Sequence, residues 1–212
     1  MWTLRADVAG DLARVLDTSS PAWIALTDPG TELIALARDR GCDVVHTVRA
    51  MGRDTLTRLP DLPLPPTVSM QRVDLQGGVG AISVEEALLV DVLHGGGDAS
   101  SVRRDLPLEA DALRLLPGVT LLAAVDRGGS CVATAGTRVV GRSALVSAVA
   151  TIPQYRRQGI AAALTAAALR AAERAGARRA FLDATDGEGV YTRVGFAPLG
   201  LVTRCERAPA ES

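Results

Sequence analysis

The chain of 212 residues contains no lysine and no asparagine, so all 23 of its basic residues are arginine. Without lysine there is no GxxxxGK[ST] phosphate-binding loop, and without asparagine there is no N-glycosylation acceptor. The bias toward residues with GC-rich codons fits a protein from a high-GC bacterium. These absences remove several common functional classes before any motif is considered.

Histidine and cysteine are also scarce: the chain has two histidines, at 46 and 94, and three cysteines, at 42, 131 and 205. The cysteines are widely spaced, with no CxxC pair and no nearby histidine in the pattern of a zinc site. We therefore expect no metal site and interpret the cysteines as buried, reduced thiols.

Long apolar runs and excess positive charge are missing as well. No stretch approaches the ~18 consecutive apolar residues that a membrane-spanning helix needs. Residues 1–16 lack the apolar core and cleavage site of a signal peptide. The formal net charge of -1 offers no basic face for nucleic acid. We expect a cytoplasmic protein that binds neither membranes nor nucleic acids.

A proline-rich segment divides the chain. RLPDLPLPPT, residues 58–67, has four prolines and no hydrophobic period, which predicts a stiff connector. We predict an α/β extension over residues 1–57 and a main domain over residues 68–207. The extension reads as helix (residues 6–16), strand, helix and strand, the order of the last four elements of the main domain. A relic half-copy of that domain and an unrelated docking extension are both open.

The main domain reads as β-α-α-β-β-β-α-β-α-β, a mixed α/β pattern. Ser83 and Glu86 form a predicted capping box at the start of the first helix. DRGGS, residues 126–130, is a hairpin turn between two strand-like runs. A long helix is predicted over residues 159–175. The following strand, residues 179–185, is expected to be buried on both faces.

The stretch RRQGIAAAL, residues 156–164, lies between a strand ending near Thr151 and the N-terminus of the long helix. A strand-to-helix turn frees backbone N–H groups, and the helix dipole adds partial positive charge there. Arg156 and Arg157 would strengthen this field, and Gly159 permits close approach of a ligand. The pattern indicates a pyrophosphate-binding turn; an ordinary connection with solvated arginines is the alternative.

The sequences ATIPQYRRQGIAAALTAAAL, FLDAT and YTRVGF occur in this order and together resemble the GCN5-related N-acetyltransferase (GNAT) family. That family's motif [Q/R]-x-x-G-x-[G/A] is matched by Arg156, Gly159 and Ala161. The resemblance covers Val68 to Arg204. It implies an α/β fold with a mixed, mostly antiparallel central sheet flanked by helices, here with an N-terminal α/β extension.

The resemblance also implies acetyl-CoA as cosubstrate. Its pyrophosphate would rest on the backbone amides of residues 157–162, and its pantetheine arm would lie along the strand that precedes the turn. The implied cofactor-binding residues are Val149, Thr151, Arg156, Arg157, Gln158, Gly159, Ile160, Ala161 and Ala162.

The mechanism implied by the resemblance is direct transfer, in which a neutral amine attacks the thioester. A backbone N–H on the strand from Val149 to Thr151 would stabilise the oxyanion. Tyr191 holds the tyrosine position of Y-x-x-x-G-F and is the candidate acid for the leaving thiolate. Packing of Tyr191 against the sheet is the alternative role.

The sequence departs from the family pattern in two respects. Many relatives have an asparagine shortly after the FLDAT-type strand, and here Asp186 or a backbone group would have to substitute. No carboxylate identifies itself as the base: Glu85, Glu86, Asp91 and Asp183 are candidates, and a chain of water molecules is the alternative.

These observations predict transfer of an acetyl group from acetyl-CoA to a primary amine of a small molecule or peptide. A catalytically silent CoA-binding protein, or an O-acyltransferase that uses another acyl-CoA, is the alternative. The extension would shape the acceptor pocket or form a homodimer interface.

Overall fold

The computed structural model describes residues 23–27, 30–76, 82–94, 106–185 and 187–207. The strands are β1 (Trp23–Thr27), β2 (Cys42–Arg53), β3 (Val68–Arg72), β4 (Val119–Asp126), β5 (Cys131–Val140), β6 (Ser143–Thr151), β7 (Arg179–Ala184) and β8 (Ala197–Arg207). The helices are α1 (Thr31–Asp39), α2 (Val84–His94), α3 (Leu106–Leu115), α4 (Ile160–Arg174) and α5 (Glu188–Arg193). The element order predicted for the main domain is confirmed. The helix predicted over residues 6–16 lies outside the described residues.

The chain divides into two compact units. The described part of the first unit comprises residues 23–27, 30–51, 183–185 and 198–207. Its strands lie in the order β1-β8-β2, and β1 runs antiparallel to β8. The side chains of Ala37, Cys42 and Cys205 form its buried cluster, which contains two of the three cysteines as reduced thiols.

The second unit comprises residues 52–182 and 187–197, with the strand order β7-β6-β5-β4-β3. The pairs β3–β4, β4–β5 and β5–β6 are antiparallel, and β6–β7 is parallel. This is the mixed, mostly antiparallel sheet that the resemblance to the GNAT family implies. Residues 52–67, including the proline-rich segment, belong to this unit, whereas the predicted division into 1–57, 58–67 and 68–207 stays a prediction.

Helices cover both faces of this sheet, as the alternation along β4 shows. Leu122 and Ala124 belong to the cluster that contains Ile160, Leu164 and Ala168 of α4. Leu121, Ala123 and Val125 of β4 belong to the cluster formed with α2 and α3. Because successive strand residues point to opposite faces, α4 lies on one face and α2 with α3 on the other.

Local signals at the start of α2 are confirmed by hydrogen bonds. The amide of Ser83 donates to the Glu86 carboxylate at 2.8 Å, and the amide of Glu86 donates to the Ser83 hydroxyl at 3.1 Å. These two bonds form the capping box and define where the helix begins. No helix of the described residues is long and apolar enough to cross a membrane.

The prediction that β7 is buried on both faces is wrong. Ala180, Leu182 and Ala184 are buried, whereas Arg179 and Asp183 are exposed. The strand therefore alternates, because its two charged residues lie on the side opposite the three buried apolar residues and remain at the surface. The guanidinium of Arg179 lies over the Phe181 ring, 5.9 Å from its centroid.

Candidate functional site

A bulge interrupts the pairing of β5 with β6. Thr134 lies opposite Ala150 and Gly136 opposite Ser147, so two residues of β6 face one residue of β5. One of these two, Ala148, has a φ of 51°, in the left-handed region. A bulge bends its strand and redirects the backbone groups that follow it. Here those groups belong to residues 149–151, which lead into the turn before α4.

The turn between β6 and α4 contains two residues in the left-handed region, Arg157 (φ 64°) and Gly159 (φ 82°). The first hydrogen bond of the helix runs from the amide of Ala163 to the carbonyl of Gly159, at 3.0 Å. The amides of residues 160–162 precede this ladder and have no acceptor within the helix. The helix has 15 residues, so its dipole adds partial positive charge at the same place.

A cleft of about 570 Å³ opens at this helix N-terminus. One wall is formed by the end of β6, the turn and the first residues of α4; the other is formed by α5 and the residue before it. The lining residues are Thr151, Tyr155, Arg156, Arg157, Gly159, Ala161, Ala162, Gly187, Gly189, Val190 and Arg193. Among the described residues that line it are three arginines and no carboxylate, which makes the cleft suited to an anion. Its volume is within the range of small-molecule sites.

Six of the predicted cofactor-binding residues line this cleft: Thr151, Arg156, Arg157, Gly159, Ala161 and Ala162. Three others lie elsewhere. Val149 packs against the α4 cluster, and Ile160 is 1% exposed within it. Gln158 is exposed, and its side-chain amide donates to the Gln154 carbonyl at 3.4 Å. The roles of these three in cofactor binding stay predictions.

The opposite wall of the cleft, formed by Gly187, Gly189, Val190 and Arg193, is not predicted from the sequence. The glycine pair in DGEGV was the one available signal, because glycine often permits close approach of a ligand. Val190 and Arg193 gave no signal, since they reach the cleft only through the packing of α5 beside α4.

One hydrogen bond from Arg156 and one from Tyr155 stabilise the turn. The Nε of Arg156 donates to the carbonyl of Thr151 at 3.2 Å. The hydroxyl of Tyr155 donates to Oδ2 of Asp126 at 2.9 Å. The Oδ1 of Asp126 accepts the amides of Gly128 and Ser130, both at 2.9 Å. These bonds connect the turn before α4 to the hairpin between β4 and β5.

The same bonds shift two pKa values. The amide of Ser130, followed by the Tyr155 hydroxyl, lowers the pKa of Asp126, because each stabilises the carboxylate. The hydrogen bond to Asp126 raises the pKa of Tyr155, since the phenol donates in it only while protonated. Neutral Tyr155 and ionised Asp126 are therefore the pair at neutral pH.

The candidate acid Tyr191 lies on α5 and is 9% exposed. Its ring meets that of Phe196 edge to face, with centroids 6.2 Å apart and planes at 73°. Its carbonyl accepts the amides of Val194 and Phe196, each at 3.0 Å. The cleft-lining residues include its neighbour Val190 but not Tyr191 itself. Its catalytic role stays a prediction.

Three of the four candidate bases have other partners. Glu85 accepts a hydrogen bond of 2.7 Å from Arg114, which lowers the pKa of Glu85. Glu86 belongs to the capping box, and Asp183 pairs with Arg204. The side chain of Asp91 lies outside what the structure describes, as does Asp186, the proposed substitute for the family's asparagine.

Comparison with known proteins identifies a family for part of the chain. Residues 96–196 match the model of the "Acetyltransferase (GNAT) family". No protein of established annotation matches the sequence. Among solved structures, a GCN5-related N-acetyltransferase from Kribbella flavida is 20% identical with a TM-score of 0.61, over 90% of this chain and 68% of that one.

Two further solved structures are similar. A GCN5-related N-acetyltransferase from Sphaerobacter thermophilus is 18% identical with a TM-score of 0.60, over 91% of this chain and 62% of that one. A tandem GNAT protein from the clavulanic acid biosynthesis pathway is 16% identical with a TM-score of 0.63, over 99% of this chain and 72% of that one. The chain thus spans about two thirds of the length of these relatives and has their fold. Its residues 96–196 are a GNAT acetyltransferase domain.

Proposed function

We propose that this protein transfers an acetyl group from acetyl-CoA to a primary amine of a small molecule or peptide, by direct transfer. A GNAT domain implies acyl transfer from an acyl-CoA. The observation that carries the proposal is the cleft at the N-terminus of α4, where helix amides and three arginines meet. The acceptor class and the acyl group are the parts that need experiment.

The residues present fit the diphosphate of CoA. The amides of residues 160–162 precede the hydrogen-bond ladder of α4, and helix N-termini with such amides bind phosphate groups. Arg156, Arg157 and Arg193 add positive charge on both walls of the cleft. Apart from its two chain neighbours, no atom of the described residues lies within 4 Å of where a Cβ on Gly159 would stand, so the turn is open to a ligand there.

Bound acetyl-CoA would supply an activated thioester carbonyl. A backbone N–H of residues 149–151, beyond the bulge at Ala148, would donate to that carbonyl oxygen as it becomes negative. Such a donor contributes about 3 kcal/mol in other enzymes. Tyr191 would donate its phenolic proton to the departing thiolate. The acceptor amine must be neutral to attack. Because Glu85, Glu86 and Asp183 have other partners, Asp91 or a chain of water molecules would remove its proton.

A CoA-binding protein without catalysis is the second candidate. The observation that favours it is the packing of Tyr191, which is 9% exposed and in contact with Phe196. An acid so enclosed would serve a structural role unless bound acyl-CoA reaches its hydroxyl. The two candidates share the cleft and differ in what happens after binding.

Calorimetry followed by a turnover assay separates these candidates. Titration of CoA should give saturable heat with the wild type and weaker binding with Arg157→Gln. Arg170→Gln is the matched control, because Arg170 donates to the Pro60 carbonyl, away from the cleft. Absence of heat with folded wild type would overturn the proposed site.

Release of free thiol from acetyl-CoA should then be measured with a panel of primary amines and alcohols. Amine-dependent release supports the proposed N-acetyltransferase. Release with alcohols alone would indicate an O-acyltransferase instead. Tight CoA binding without release from acetyl-CoA or from longer acyl-CoAs would support the silent candidate.

A further inference from the structure

The guanidinium of Arg53 lies outside the cleft, at the start of the second unit. Its Nη1 donates to the carbonyl of Val194 at 2.6 Å. Its Nε donates to the Thr55 carbonyl at 2.8 Å, and its Nη2 reaches the carbonyls of Thr57 at 3.3 Å and Arg58 at 3.5 Å. Because the guanidinium plane fixes the directions of its N–H groups, this set holds it in one orientation.

Val194 is the C-terminal cap residue of α5, and Gly195 follows it. A Cβ on Gly195 would lie 1.8 Å from Nη1 of Arg53, and Gly195 has a φ of 88°. The backbone conformation therefore favours glycine here, and a larger residue would also displace the Arg53 guanidinium. A cation at this end of a helix also interacts favourably with the helix dipole.

The helix held in this way has only six residues, so its position depends on tertiary contacts rather than on its own stability. The Val194 peptide is bonded on both sides: its amide donates to the Tyr191 carbonyl at 3.0 Å, and its carbonyl accepts from Arg53. Val190 and Arg193 on the same helix line the cleft. Arg53 is thus connected through Val194 both to the candidate acid Tyr191 and to Arg193 of the cleft wall.

We propose that Arg53 is a positioning residue. By holding the C-terminal end of α5, it sets the placement of Tyr191 and of the cleft wall. The effect on turnover rests on the proposed role of Tyr191. The effect on the geometry of α5 does not, which allows the two to be tested separately.

Tyrosine labelled with ¹³C at Cζ gives a direct readout, because the chain has only two tyrosines. Tyr155→Phe assigns the two NMR signals. In Arg53→Ala and Arg53→Lys we expect the Tyr191 signal to shift or broaden and the Tyr155 signal to stay in place, since Tyr155 is held by Asp126. Lysine keeps the positive charge but cannot make the set of hydrogen bonds that the planar guanidinium makes. The Arg53→Lys variant therefore tests the hydrogen-bond geometry rather than the charge. Added methylguanidinium should restore the Tyr191 signal in Arg53→Ala.

Arg170→Ala is the matched control, because Arg170 also anchors the segment before β3, through the Pro60 carbonyl at 2.6 Å, but does so on α4. It should leave the Tyr191 signal unchanged. Gly195→Ala gives a second test: its loss of Tm should be smaller in the Arg53→Ala background, where the clash with Nη1 is absent. Equal losses in both backgrounds would contradict a contact between Arg53 and this turn.

Turnover distinguishes the inference from the proposed function. Misplacement of α5 should lower kcat by up to about 10²-fold. A shifted Tyr191 signal in Arg53→Ala together with full turnover of Tyr191→Phe would support positioning by Arg53 and remove Tyr191 from catalysis. An unshifted signal in Arg53→Ala would overturn the inference, whatever the activity of Tyr191→Phe.

Discussion

The hydroxyl of Tyr155 donates a 2.9 Å hydrogen bond to Oδ2 of Asp126 and so joins the turn before α4 to the hairpin between β4 and β5. The pKa of Asp126 is lowered in the folded chain, chiefly by the Ser130 amide. Its ionised form therefore stabilises the fold above the unfolded pKa of about 4, and that contribution is lost as pH falls through the lower folded pKa. We expect Asp126→Asn to be less stable at pH 7 and to lose less Tm between pH 5 and pH 3.

Thermal unfolding followed by circular dichroism at pH 7, 5, 4 and 3 checks this. Asp61→Asn is the control, because Asp61 is fully exposed and lies 3.5 Å from Arg170. Surface pairs of this kind contribute little. If Tm falls by the same amount between pH 5 and pH 3 in the wild type and in Asp126→Asn, the Asp126 carboxylate does not contribute to the pH dependence of stability.

Arg157 combines a strained backbone with a place in the cleft, and substitution by glycine should separate the two. Its φ of 64° costs an L-residue about 1–2 kcal/mol. Glycine removes this cost but has more freedom in the unfolded chain, so Arg157→Gly should gain on the order of 0.5–1 kcal/mol in unfolding free energy. CoA should bind more weakly because one cleft arginine is lost. Denaturant unfolding and calorimetry measure the two effects.

Arg156→Gly is the matched comparison. Arg156 lines the same cleft but has a φ of -66°, which any residue adopts. This variant relieves no strain and loses the 3.2 Å bond to the Thr151 carbonyl, so it should be destabilised by about 1–2 kcal/mol. If both variants change stability in the same direction, backbone strain at residue 157 does not account for the result.

The sequence was informative where a local signal sets local structure. Hairpin residues, the capping box and the glycine before α4 predicted β4 to β6, α2 and the first wall of the cleft. The second wall was not predictable, because Val190 and Arg193 gain their role from long-range packing of a six-residue helix. Strain at Arg157 was also hidden, since arginine is not a residue that indicates the left-handed region. The alternation of β7 was readable from Arg179 and Asp183, two charges four residues apart.

Leu56 shows that the chain before β3 belongs to the core of the second unit. Its side chain is 1% exposed, and its amide donates to the Arg178 carbonyl at 2.9 Å. Leu56→Ala should therefore cost about 2–5 kcal/mol in unfolding free energy. Leu64→Ala, at a partly buried position on the α4 cluster, should cost less. Denaturant titrations compare the two variants.

Deletion of residues 1–58 removes Leu56 altogether and exposes the surface beneath it. We expect this truncated chain to aggregate on size-exclusion chromatography, because a large apolar contact of the second unit is lost. A monodisperse truncation with full turnover would contradict this expectation and would show that the preceding residues are dispensable.

Tyr191→Phe removes one hydroxyl and keeps the edge-to-face contact with Phe196, so the fold should survive. If the phenol protonates the leaving thiolate, turnover should fall by ~10²-fold, while CoA affinity stays unchanged because Tyr191 is not a lining residue of the cleft. Stopped-flow thiol release and calorimetry measure these quantities. Thr192→Val is the control, since it removes an exposed hydroxyl from the same helix, one that donates to the Glu188 carbonyl at 2.9 Å. If Tyr191→Phe and Thr192→Val have equal turnover, loss of the Tyr191 hydroxyl has no specific effect on catalysis. Tyr191 would then be a packing residue.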